Sequence, residues 1–197
     1  MLFRSERGGL ALRGNHDQAA VSGDDGRMND YARASAGWTA RALDDEARDF
    51  LASLPLTIED GDCLFVHSDA SDPAGWLYVS DEASAERSLF ATQKRMSFCG
   101  HIHRPQIYHM TPRRPPQFFA PRTSVATPLI ASRKWLCVLG AVGQPRDENP
   151  AAAWCLLDTD KGEVTYNRAG YDIERAAKKI HDAGLPQILA ARLFIGR

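Results

Sequence analysis

The sequence is short of most features that would take it out of the ordinary globular class. No stretch approaches the ~18 apolar residues that a membrane helix needs. Residues 1–9 mix Arg and Glu with two glycines and show no apolar h-region, so no signal peptide is visible. Charge of one sign is missing too. The formal net charge is -1, which gives no global field toward nucleic acid or an anionic membrane. Arg113 and Arg114 sit among Pro112, Pro115 and Pro116 and read as a loop rather than a nucleic-acid stripe. No internal repeat and no low-complexity tract occurs. Cysteine is scarce: Cys63, Cys99, Cys137 and Cys155 form no C-x-x-C pair, and each lies in an apolar run. Buried free thiols are therefore expected, in a reducing cytoplasm, rather than a zinc site or a disulfide framework.

What is present suits one domain over residues 1–197, with 44% hydrophobic and 25% charged residues. Phe3 to Arg7, followed by Gly8-Gly9, reads as the last turn of a helix with a glycine stop. Leu10–Arg13 reads as a short strand ending at Gly14. A helix is expected around 28–36, another over Leu43–Leu54, ended by Pro55, and a third from an Asp81 cap to about Lys94. Cys63–Val66 and Met96–Cys99 read as buried strands. Gln106–Met110, Trp135–Leu139, Ala153–Leu157 and Glu163–Arg168 read as strands, the last two joined as a hairpin by Asp158 to Gly162. Helices over Ile173–Ala183 and from Pro186 through Arg192 close the chain. Helices alternate with strands early and strands dominate late, which predicts layered α/β with two packed sheets.

Three of these strands run into polar residues: Gly14-Asn15-His16-Asp17, His67-Ser68-Asp69 and Gly100-His101-Ile102-His103. Ligands gather outside the carboxyl ends of strands in open α/β sheets, so Asn15, His16, His67, His101 and His103 are expected on one rim. On extended backbone His101 and His103 would point to one side. Imidazoles and an amide oxygen suit Zn, Mn, Fe or Ni. His109, in mid-strand, and His181, on a surface-like helix, are read as ordinary structural residues.

GNHD, the strand-terminal His67 and GHIH match, in order, the later motifs of calcineurin-like metallophosphoesterases. The tail, from Val142-Gly143-Gln144-Pro145-Arg146-Asp147 through Gly170-Tyr171-Asp172 to Gly184-Leu185-Pro186, resembles the small YfcE-like phosphodiesterase branch. The resemblance implies a layered α/β/β/α sandwich and two divalent metal ions (Mn, Zn, Fe or Ni) that activate water against a phosphate-ester substrate. It implies that Asn15, His67 and His101 ligate one ion and His103 the other. His16 would act at the phosphate as the catalytic residue. Asp17 would cap the following helix or support a ligand, the structural role being favoured, and Arg146 would face the substrate.

The family also has a D-x-H motif and a G-D-x-x-D motif upstream of GNHD, and neither is present here before Gly14. Gly23-Asp24 and Gly61-Asp62 lie on the wrong side of it. Leu139-Gly140-Ala141 stands where the branch often has Asn-Pro-Gly-Ser. These departures imply an N-terminally truncated form that lacks the first βαβ unit, with weak metal binding. They also imply that Leu10–Arg13, Cys63–Val66 or Met96–Cys99 becomes an exposed sheet edge through which copies associate, leaving a homo-oligomer open. The main alternative is a non-catalytic binding or regulatory remnant. A phosphomonoesterase acting on proteins or nucleotides is the third reading.

Overall fold

The structure, a computed structural model, describes residues 8–23 and 26–197. The helix end expected over Phe3–Arg7 lies outside the described residues. Among the described residues three helices come first: α1 (Asn15–Ser22), α2 (Asp30–Ala42) and α3 (Asp45–Ser53). Asn29 and Asp44 cap α2 and α3 by accepting the backbone N–H three residues on, at 2.9 and 2.8 Å. The first cap is different. Gly14 precedes α1 without a side chain, and the Asp17 carboxylate reaches back to accept the Gly14 N–H at 2.8 Å.

Strands β1 (Thr57–Asp60), β2 (Cys63–Val66), β3 (Met96–Cys99), β4 (Gln106–Thr111), β5 (Arg114–Phe119) and β7 (Lys134–Val138) form one six-stranded sheet in the order β1-β2-β3-β7-β4-β5. Its centre, β2-β3-β7, is parallel, and the flanking pairs are antiparallel. A second, antiparallel sheet holds β6 (Ala126–Pro128), β9 (Glu163–Ala169) and β8 (Ala152–Asp158) in that order. The predicted hairpin is β8–β9.

The period of two along each strand sorts the core into two layers. Phe98, Trp135 and Cys137 pack with Val164 and Tyr166 of the second sheet. Their neighbours Cys99, Leu136 and Val138 pack with Ala85 and Leu89 of α4 (Glu82–Phe90). The fold is thus mixed α/β, with a helix on one face of a mixed sheet and a second sheet on the other. The Tyr166 hydroxyl lies 3.2 Å from the carbonyls of both Gln106 and Val138, a donor shared between them that ties the two sheets. Helices α5 (Ile173–Asp182) and α6 (Gln187–Ile195) close the chain and pack on each other.

Several expectations are corrected. Leu10–Arg13 is not a strand: Leu10 is exposed, and the Arg13 N–H bonds the Pro55 carbonyl at 2.9 Å, outside either sheet. Three apolar residues before Arg13 suggested a strand, but no sheet neighbour receives them. Neither Cys63–Val66 nor Met96–Cys99 is an edge. The unforeseen β1 covers β2, and β3 lies between β2 and β7. The segment read as a loop at Arg113 and Arg114 holds only a short turn before β5. Pro115 and Pro116 are tolerated there because β5 is an edge strand. Helix α4 ends at Phe90, not near Lys94. Cys63, Cys99 and Cys137 are buried free thiols, as expected, and Cys155 is half-buried. No described helix is long and apolar enough to cross a membrane.

Candidate metal centre

Residues from three separate segments meet at the carboxyl ends of β2 and β3. The His67 Nε2 atom lies 3.1 Å from Asn15 Oδ1 and 3.2 Å from His101 Nδ1. Asn15 reaches this point from the first turn of α1 rather than from a strand end. The approach is close because Gly14 lies against the His67 ring. A Cβ at Gly14 would stand 2.9 Å from the ring's Cε1.

The backbone after β3 differs from the extended one expected. His101 and His103 have φ of 66° and 61°, the left-handed region that non-glycine residues seldom adopt. Each ring is turned to its own carbonyl. The His101 Nε2–H donates to the Trp76 carbonyl at 2.8 Å, and the His103 Nδ1–H donates to the Gln144 carbonyl at 2.8 Å. These bonds fix the tautomers. His101 keeps its Nδ1 lone pair aimed at His67, and His103 keeps Nε2 as its free donor.

Burial lowers the basicity of the whole group. Desolvation, then the neighbouring histidines His101, His103 and His16, push His67 down to about 3. Desolvation, then the Arg146 guanidinium, push His103 down to about 4. Desolvation lowers His101 as well. The imidazoles are therefore neutral near pH 7, the form that binds metal. His16, on the solvent side, is lowered by desolvation, raised by Asp17 and lowered by Arg146.

The donor atoms fit a borderline divalent cation. Ligands at ~2.1 Å around a tetrahedral ion are roughly 3.4 Å apart, and the observed 3.1 and 3.2 Å lie just inside that spacing. The set is two imidazoles and an amide. Among the described residues, no three or more His, Cys, Asp or Glu side chains gather as a metal site. His103 shares the cleft without touching the other three through a hydrogen bond.

Asn15, His101 and His103 form part of the wall of a cavity of ≈ 710 Å³, which Arg13, His16, Trp76, Tyr78 and Arg146 also line, and His67 lies behind them. Arg146 donates from a terminal nitrogen to the Gln144 side chain at 3.1 Å, while its buried Nε–H has no partner. Asp17 accepts the Gly14 N–H at the N-terminus of α1. His109 packs on Trp135 with ring centroids 5.0 Å apart, and His181 lies beside Asp182. Both stand apart from the cluster, as read from the sequence.

Sequence reasoning missed Gly14 as a packing position, the Trp76 and Gln144 carbonyls, and Tyr78, whose ring stacks on His101 at 4.5 Å and 22°. Backbone acceptors leave no mark on residue type. The run Trp76-Leu77-Tyr78 before a buried Val79 was the one signal within reach.

The sheets, the helix layer and the strand-end histidines define a metallophosphoesterase fold. Residues 3–162 match the calcineurin-like phosphoesterase superfamily domain, and the chain belongs to that family. Over its full length it superposes on the crystal structure of a metallophosphoesterase from Sphaerobacter thermophilus, with a TM-score of 0.84, 30% identity and 80% of that chain covered. It also superposes on a hypothetical protein from Pyrococcus horikoshii OT3, with a TM-score of 0.75, 16% identity and 77% of that chain covered, a likeness of fold alone. An uncharacterized protein of Methanocaldococcus jannaschii is 29% identical over 95% of this chain and 76% of its own length. Members of the family act on phosphate esters and generally use divalent metals.

Proposed function

We propose that the protein is a metal-dependent phosphodiesterase of the YfcE-like kind, acting in the cytoplasm on a small phosphate ester. Asn15, His67 and His101 would hold one ion, and His103 would contribute to a second. The observation that carries this reading is the approach of His67 Nε2 to both Asn15 Oδ1, at 3.1 Å, and His101 Nδ1, at 3.2 Å, beside the cavity that Asn15 and His101 line. A divalent ion there supplies Lewis acidity toward a phosphoryl oxygen and makes water nucleophilic near neutral pH.

The chain's own residues do the rest. Arg146 brings its guanidinium, with an unpartnered Nε–H, to the phosphate charge. His16 stands at the cleft and gives a hydrogen bond, or its proton, to the leaving ester oxygen. An anionic phosphate beside it opposes the lowering of its pKa and favours the protonated ring. Trp76 and Gln144, through their carbonyls, keep His101 and His103 in one tautomer through the reaction.

Binding without turnover is a second reading, favoured by the absence of a carboxylate from the gathered set among the described residues. One experiment separates the two. The purified 197-residue chain is loaded with Mn²⁺, Ni²⁺ or Zn²⁺, its metal content is measured, and bis-p-nitrophenyl phosphate and p-nitrophenyl phosphate are offered. The expected result is weak, metal-stimulated diester hydrolysis that His67→Ala abolishes. Metal uptake without hydrolysis of either ester would establish binding alone. Hydrolysis indifferent to chelator would sink the metal reading.

A further inference from the structure

One wall of the cleft is made of large apolar side chains that the core does not use. Trp76, Leu77 and Tyr78 follow one another along it, with Leu77 and Tyr78 43% and 54% exposed. Ordinary packing does not explain three such residues in a row at a surface. Their backbone is held firmly nonetheless. At one end the Trp76 carbonyl accepts the His101 Nε2–H at 2.8 Å, and Trp76 itself is in the left-handed region with φ of 53°. At the other end Val79 is buried in the core beneath α4. The Gly75 carbonyl just before them accepts a bond of 2.7 Å from Arg27 across the cleft. The segment is thus fastened on both sides, with its rings directed to the cavity.

The position of the wall gives it a use. Tyr78 lies flat on His101, one of the three converging residues, so the two rings form a stack beside the phosphate position. Three arginines line the cavity, Arg13, Arg27 and Arg146. Arg13 donates to Gln18 and to the Ala52 carbonyl and Arg27 to the Gly75 carbonyl, so Arg146 is the one assigned to the anionic end. A cavity of ≈ 710 Å³ is far larger than a phosphate group needs and is of the size that takes a whole drug-sized ligand. What remains beyond the phosphate has the aromatic wall of Trp76 and Tyr78 on one side and polar residues, Gln18, Ser22, Arg27 and Asn29, among its other lining.

We propose that the Trp76–Tyr78 wall seats an aromatic ring carried on one ester arm of the substrate, so that the site prefers aryl or nucleoside phosphate esters to alkyl ones. This rests on the phosphoesterase reading and adds the class of ester. Tyr78 is a specificity residue here, offering a π-face to the ring. Base–aromatic stacking of this kind is worth ~1–3 kcal/mol, and so sets a preference of roughly fivefold to a hundredfold.

The test reads binding rather than turnover. Inorganic phosphate, methyl phosphate, phenyl phosphate and thymidine 5′-monophosphate are titrated calorimetrically into Mn²⁺-loaded protein, wild type, Tyr78→Ala and Tyr78→Phe. Tyr78 is more than half exposed, so both variants should fold, and circular dichroism checks this. The expected result is that phenyl phosphate or the nucleotide binds wild type at least tenfold more tightly than methyl phosphate. The gap should shrink severalfold in Tyr78→Ala and survive in Tyr78→Phe. A nucleotide that outbinds phenyl phosphate would identify a base as the ring, and equal binding would identify a simple aryl group. If all four ligands bind alike, or the gap persists in Tyr78→Ala, the ring seat is wrong while the phosphoesterase reading stands. If none of the four binds, the phosphoesterase reading fails and takes the ring seat with it.

Discussion

On one side of the cleft, His67 and His101 follow the buried parallel strands β2 and β3, and His103 lies two residues further on. On the other side, Asn15, His16 and Asp17 open a helix that no strand precedes among the described residues. The strand side is braced from behind. Asp69, fully buried two residues after His67, is paired with Arg87 of α4, and the Ser71 N–H donates to it at 2.8 Å. The helix side is fastened by the Arg13 backbone bond to Pro55, by packing among α1, α2 and α3, and by the fit of Gly14 against His67. The two halves of one site are therefore held by unlike means. One relies on the sheet, the other on a close approach that a single methyl group would prevent.

The largest effect should come from His16, to which the proposed function gives chemistry rather than assembly. In His16→Ala, turnover should fall ~10²–10⁴-fold while metal content stays constant, since His16 is not among the three converging side chains. Metal analysis alongside initial rates checks this, and loss of metal together with activity would move His16 into the ligand set.

Next comes the seam between the halves. Gly14→Val adds a Cβ that would lie 2.9 Å from the His67 ring. Its φ of -104° is ordinary, so the effect is one of space alone. Metal affinity should drop about 10–100-fold, the range for disturbed supporting contacts, whereas Gly170→Ala, with nothing within 4 Å, should bind as wild type. Equal affinities in the two variants would show that the seam does not matter.

The strand side can be weakened from behind without touching a donor atom. Arg87→Met leaves the buried Asp69 carboxylate without its cation and should cost about 1–3 kcal/mol in urea unfolding. The metal affinity of the remaining folded protein should change little. A drop in affinity as large as that of Gly14→Val would mean that the brace also positions His67.

The smallest expected effect is on pH. His67 is lowered to about 3 and His103 to about 4, from an ordinary 6.5. Between about pH 4 and 6.5 the unfolded chain therefore binds more protons than the folded one. Stability of the metal-free protein should rise with pH through that window and be lost on acidification. Urea midpoints of chelator-treated protein at pH 7 and pH 5 measure it, and His67→Asn should flatten the slope.

The same contrast explains what could be read from residues. Cys63–Val66, four apolar residues in a row, and Met96–Cys99, apolar but for Ser97, were legible because such a run leaves a strand no solvent face, and the polar residues after them then mark the rim. Leu10–Arg13 has the same apolar look and is no strand, because strandhood depends on a neighbour, which composition does not supply. β1, with Glu59 and Asp60, was invisible for the opposite reason: an edge strand needs no apolar run. His67 and His101 were expected to converge and do lie together. The carbonyls that orient the rings, and the left-handed turn that aims them, are properties of backbone that side-chain identity does not encode.

That turn bears on how this gene would age. A left-handed residue with a side chain costs roughly 1–2 kcal/mol, and the segment accepts that at both His101 and His103. Glycine, and to a lesser degree asparagine, would sit there at ease. A copy freed from the proposed chemistry would therefore be drawn toward Gly or Asn at these two positions, growing hardier as it lost the two imidazoles. Histidine at both, in a surviving lineage, is what continued use would keep.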